Sequence, residues 1–130
     1  MKQVRDHRRA RQAYQRVATI ATEKRNDVKA LSVKAYKSAV DSFGANVIRS
    51  GLGAAVAWLQ RRGTPEAGAF LEDLASADLR GIGNVQRADD FAAAVRHASN
   101  ADYMLATRDA IAVVSWFRRA LQTAVAEEKE

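Results

Sequence analysis

The residues best able to do chemistry in this chain are cationic. Arg5, Arg8, Arg9, Arg11 and Arg16 crowd the first sixteen positions. A guanidinium is permanently charged and presents a fork of donors that matches phosphate oxygens. Such a run at helical spacing points to neutralisation of a polyanion backbone without reading of bases. Residues 1–37 carry eleven Lys/Arg and three Asp/Glu, a local charge of +8, whereas the remainder carries ten basic and twelve acidic residues. The overall charge of +6 is therefore concentrated in the first third of the chain. A solvated helix face would look the same by charge alone.

Other chemistry is thinly represented. The two histidines, His7 and His97, have no ligand partner at i+3 or i+4, so no metal site is expected. Glu72-Asp73 and Asp89-Asp90 are adjacent pairs, which point to different sides of a helix and make poor acid/base dyads. The absence of cysteine excludes disulfides, thiolate metal centres and thiol nucleophiles, and fits a reducing cytoplasm. Gly51-Leu52-Gly53 and Gly81-Ile82-Gly83 lack the preceding strand that a dinucleotide-binding turn needs. The expectation is a protein without catalytic residues, cofactor or metal.

The elements that must position the cations are helices. One proline in 130 residues and no run of alternating β-branched residues leave no strand to propose. We read an all-α, single-domain bundle of about five or six helices over 1–130. The first spans about 2–24, with Ala10, Ala13, Tyr14, Val17, Ile20 and Ala21 on a core arc. The arginines named above take the opposite arc with Gln12, Gln15 and Thr19. Asp27 is the expected N-cap of the second helix, which carries Val28, Leu31, Ala35, Val40 and Phe43 and should bend or end at Gly44. Gly51–Arg62 forms the third, closed by Gly63 as the left-handed residue after its end. Thr64-Pro65-Glu66 starts the fourth, with a cap, a first-turn proline and an acid at the positive end of the dipole. A loop over 80–86 leads to a fifth helix over about 88–98. The long last helix runs from about 100 to 126, with Ser99 and Asp102 as a capping-box variant. Its main stripe is Tyr103, Thr107, Ala110, Val114, Phe117, Leu121 and Val125. A second stripe, Leu105, Ala112 and Trp116, is interrupted by Asp109. Trp116 fits a partner interface or the core equally well. The longest apolar run, Gly51 to Leu59, has nine residues, against roughly 20 needed to cross a bilayer.

Two blocks carry more than composition does. The first is Tyr36-Lys37 followed by Val47-Ile48-Arg49-Ser50-Gly51-Leu52-Gly53-Ala54-Ala55-Val56-Ala57-Trp58-Leu59. The second runs from Asp102-Tyr103-Met104-Leu105-Ala106-Thr107-Arg108-Asp109-Ala110 to Trp116-Phe117-Arg118-Arg119-Ala120. Together they resemble the small subunit of the type III-B CRISPR RNA-guided effector, the Cmr complex. In that family a proline usually stands about three residues before the isoleucine. Ala45 holds the place here, and Gly44 is expected to supply the bend.

The resemblance implies an all-helical, non-catalytic, cytoplasmic subunit of antiviral defence. It implies copies stacked head-to-tail along the inner filament, beside the backbone and large subunits that carry the catalytic tasks. It also implies contact with target RNA and the guide–target duplex, and no membrane partner. The phosphate-facing residues expected on this reading are Arg5, Arg8, Arg9, Arg16, Lys34, Lys37 and Arg49, with Arg118 and Arg119 as secondary members and Trp116 as the candidate partner contact. The alternative is a stand-alone helical nucleic-acid binder, histone-like or regulatory.

Overall fold

The structure is a computed structural model that describes residues 2–26 and 31–128. Six helices follow in order: α1 Lys2–Asn26, α2 Val33–Ser50, α3 Leu52–Arg62, α4 Pro65–Ala75, α5 Ala88–His97 and α6 Asn100–Glu128. The longest, α6, packs against α1 and α2 along most of its length, while α3 and α4 lie on α2 and are closed by α5. No helix among the described residues is long and apolar enough to cross a membrane.

Aromatic side chains fix the centre. Phe70 of α4 sits between α2 and α6, with ring centroids 5.4 Å from Phe43, 5.7 Å from Tyr36 and 5.5 Å from Phe117. All three pairs meet edge to face, the arrangement that the ring quadrupole favours. The four rings are fully buried.

Several local expectations match. Thr64 Oγ1 accepts from Ala67 N at 3.2 Å with Pro65 in the first turn, and Gly63 is left-handed at φ 74°. Ser99 Oγ accepts from Asp102 N at 3.2 Å, giving one half of the expected capping box.

Others are corrected. The second helix begins at Val33 with Ser32 as its N-cap, and Asp27 lies outside the described residues. Ser32 Oγ accepts from Ala35 N at 3.3 Å, and Ser32 N donates to Glu66 Oε1 of α4 at 3.2 Å. A tertiary partner thus favours Ser32 as the cap. The helix also runs straight through Gly44 to Ser50. A Cβ at Gly44 would stand 2.9 Å from Val114 Cγ1, so this glycine lets α2 approach α6 without ending the helix. Tyr14, expected inside, is 44% exposed. Leu79, in the segment between α4 and α5, also belongs to the core.

The two blocks that carry the family resemblance touch. Gly51, at φ 95°, turns α2 into α3 in a single residue, and Gly53 N donates to Tyr103 Oη at 2.9 Å. The glycine junction and the start of α6 are therefore one structural unit.

Candidate nucleic-acid interface

The cationic face of α1 reaches the C-terminal end of α4 through side chains. Arg8, Arg11, Gln12, Gln15, Arg16 and Thr19 line an open groove together with Asp73 and Ser76. The α1 spacings are those of one helix face, so these side chains form a row of donors along the helix. Gln12 Nε2 donates to the Asp73 carbonyl at 3.1 Å, and Arg16 Nε donates to Asp73 Oδ2 at 3.0 Å, fixing the deep side of the groove. The outer cations are freer. Arg8 stands 3.8 Å from Asp78 with its side chain 62% exposed, and Arg11 Nη2 lies 3.2 Å from His7 Nε2. Ion pairs as exposed as Arg8–Asp78 are worth about 0–1 kcal/mol, little obstacle to a competing phosphate.

Asp73 is the carboxylate on which α1, α2 and α4 converge. It also accepts a short hydrogen bond from the Tyr36 hydroxyl. Burial pushes its pKa up, and the Tyr36 hydrogen bond and Arg16 charge offset this only in part. The Tyr36 hydroxyl is pushed well up, first by burial and then by the neighbouring Asp73 charge. Arg16 is thus partly engaged in holding the fold.

Arg9 departs furthest from expectation. It is buried rather than on the exposed arc, and its Nη2 lies 2.8 Å from Asp109 Oδ2. Arg9 precedes Ala13 by four residues and so continues the Ala13, Val17 and Ile20 stripe into the core. Asp109, read from sequence as an interruption of an apolar stripe, is only 2% exposed. It accepts from Arg80 N at 2.8 Å, Arg80 Nε at 3.0 Å and Arg80 Nη2 at 2.8 Å. Burial alone would raise the Asp109 carboxyl. The Arg80 hydrogen bonds and the charges of Arg9 and Arg80 hold it below the ordinary aspartate range instead. Asp109 therefore ties α1 and the α4–α5 connection to α6. No local sequence signal marks it, because its partners arrive from distant segments.

The remaining candidates lie elsewhere. Arg5 is half-buried where α1 meets α6. Lys34 and Lys37 line a second groove with Ser38, Asp41 and Ser42, and Lys37 Nζ pairs with Asp41 Oδ2 at 2.7 Å. Arg118 Nε reaches Asp41 Oδ1 at 3.1 Å. Arg49 is exposed in the last turn of α2. The Arg119 guanidinium lies 4.8 Å from the Trp116 ring centroid, a cation–π contact over a half-buried indole. The predicted set is thus divided between the α1–α4 groove (Arg8, Arg16), the meeting of α1 with α6 (Arg5, Arg9), the second groove (Lys34, Lys37) and the separate positions of Arg49, Arg118 and Arg119. Arg11 joins the first group.

Comparison with known proteins follows the fold. No curated protein shows a significant sequence match. A solved structure described as a CRISPR-associated Cmr5 family protein from Thermus thermophilus superimposes with a TM-score of 0.76. It covers 92% of this chain and 98% of its own, at 24% identity, which establishes the shared six-helix fold. The model of the family described as CRISPR-associated protein (Cas_Cmr5) matches residues 5–124. With α2 to α5 wholly and α1 and α6 mostly inside that match, the chain belongs to the Cmr5 family, the small subunits of the type III-B CRISPR effector.

Proposed function

We propose that the chain is a non-catalytic small subunit that stacks along the inner side of the RNA-guided filament. There it contacts the backbone of target RNA and the guide–target duplex. The observation that carries this reading is the α1–α4 groove. Arg8, Arg11 and Arg16 stand in one row with the amides of Gln12 and Gln15 and the Thr19 hydroxyl. Guanidiniums and amides donate to phosphate oxygens, the Thr19 hydroxyl is already given to the Gln15 carbonyl, and no aromatic side chain among the described residues lines this groove for base stacking. Lys34, Lys37 and Arg49 supply further positive surface toward the same polyanion. Trp116, half-covered by Arg119, is the proposed contact to a neighbouring subunit, with the stacked copies meeting head-to-tail rather than as a closed dimer.

The test is equilibrium binding of single-stranded RNA over a range of salt concentrations. Arg8→Glu together with Arg11→Glu should weaken binding and flatten the log–log salt dependence by roughly 0.7 for each phosphate no longer neutralised. Unchanged affinity and slope would remove the groove from the interface. Equal affinity of the parent chain for duplex DNA would favour a stand-alone nucleic-acid binder.

A further inference from the structure

A second cationic feature lies apart from the groove. Arg5, Asp6, Arg9, Arg80, Arg108 and Asp109 line a cavity of about 470 Å³ where α1, α6 and the α4–α5 connection meet. Its charge does not balance: four guanidiniums face two carboxylates. Asp109 alone serves both Arg9 and Arg80.

The Arg9 contact is close but poorly directed. Although Nη2 lies 2.8 Å from Asp109 Oδ2, neither Nε nor Nη2 of Arg9 makes a hydrogen bond, and both atoms are buried. Arg9 as a residue is 7% exposed. A buried guanidinium with unused donors costs free energy unless an acceptor completes it. Arg5 and Arg108 flank the cavity and form no ion pair among the described residues. A cation is excluded by this charge. A phosphate group offers non-bridging oxygens that accept from guanidinium forks, and its negative charge offsets the surplus of guanidiniums.

We infer that this cavity is a phosphate-binding site, with the half-buried Arg5 and the exposed Arg80 and Arg108 gripping the phosphate and the buried Arg9 supplying positive field behind it. Asp109 orients Arg80 from the back of the site and is a positioning residue. The phosphate is either a diester of an RNA strand or a free phosphate, since the two share the recognised chemistry. The diester case rests on the RNA-contacting role proposed above, whereas the free-phosphate case does not.

The experiment follows the arginine Nε–H resonances of the nitrogen-15-labelled full chain. The first probe is inorganic phosphate, with ionic strength held constant by chloride. The second is a single-stranded RNA lacking terminal phosphates. The expected result is a saturable shift of the Arg9 and Arg80 signals with phosphate that Arg5→Ala with Arg108→Ala abolishes. Neither side chain is buried, and an unchanged thermal midpoint verifies the fold of the double variant.

If the RNA produces the same saturable shift, the phosphate is a backbone diester. The double variant then flattens the salt dependence of RNA binding by roughly 0.7 for each phosphate released. A response to inorganic phosphate alone assigns the site to free phosphate and leaves the α1–α4 groove as the RNA contact. Failure of the chain to bind RNA at all overturns the functional proposal, and the phosphate titration then decides the cavity by itself. No saturable shift with either probe, or identical shifts in the double variant, overturns the site.

Discussion

Asp73 and Asp109 each tie α1 to another part of the bundle through arginine, yet they solve the problem differently. Asp73 meets one guanidinium, from Arg16, and one phenol, from Tyr36. Asp109 meets two guanidiniums and a backbone N–H. Burial wins at Asp73, whose carboxyl is raised, while donors win at Asp109, whose carboxyl is lowered. An aspartate in a helix interior can therefore close a charge balance or leave positive charge over. The second case produces the cavity with unmatched arginines.

The largest predicted effect separates the two carboxylates. Asp109→Asn leaves the buried Arg9 guanidinium facing a neutral amide, and breaking a buried pair in this way costs about 3–5 kcal/mol. Asp73→Asn keeps an acceptor for Tyr36 and loses only the partly exposed Arg16 pair, so about 1 kcal/mol is expected. Urea unfolding of the two variants checks the order, and equal losses would erase the distinction.

A smaller effect tests how the Asp109 network is held. Gly81, at φ 87°, lies so close to α6 that a Cβ would stand 2.5 Å from the Asp102 carbonyl oxygen. Gly83, at φ 85°, has no neighbour within 4 Å of an added Cβ. Gly83→Ala should cost about 1 kcal/mol for backbone strain alone. Gly81→Ala should cost roughly 2–3 kcal/mol by adding a backbone clash that pulls Arg80 off Asp109. Thermal midpoints of the two variants measure the difference.

The smallest effect is in the pH dependence, where the two signs oppose. Because the folded pKa of Asp109 is depressed, its stabilisation is full above the ordinary aspartate value of about 3.9 and is lost as pH falls through the lower folded value. The folded pKa of Asp73 is raised, so its contribution is full below about 3.9 and is lost as pH rises through the folded value. Subtracting each asparagine variant's stability curve from the parent's should give differences that rise with pH for Asp109 and fall for Asp73. Two curves of the same sign would contradict the comparison.

Much of the fold is written locally. Thr64-Pro65 and Gly63 mark a helix start and stop through the chain's own hydrogen bonds and backbone angles, and the Phe117 stripe follows from helical spacing. The family, too, is readable from the glycine junction and the start of α6, because those two blocks are one contact through Gly53 and Tyr103.

What the sequence hides depends on partners far along the chain. Ser32 and Asp27 are both suitable cap residues, and Glu66 favours the first. Gly44 resembles a helix breaker until Val114 is seen against it. Arg9 carries a charge on an apolar stripe, which charge counting alone sends to the surface, although its spacing from Ala13 points inward. Asp109 gives no signal without Arg80. The row of cations on α1 was legible, whereas its division into a groove and a separate cavity required the tertiary structure.

The most direct test of the functional account is photo-crosslinking in the reconstituted effector complex. Target RNA carrying 4-thiouridine would be irradiated on the assembled particle and the crosslinked peptides identified by mass spectrometry. The account predicts crosslinks within α1 between Arg8 and Thr19, which disappear when Arg8 and Arg11 are both changed to glutamate. Crosslinks confined to other surfaces of this chain, or to other subunits alone, would contradict it.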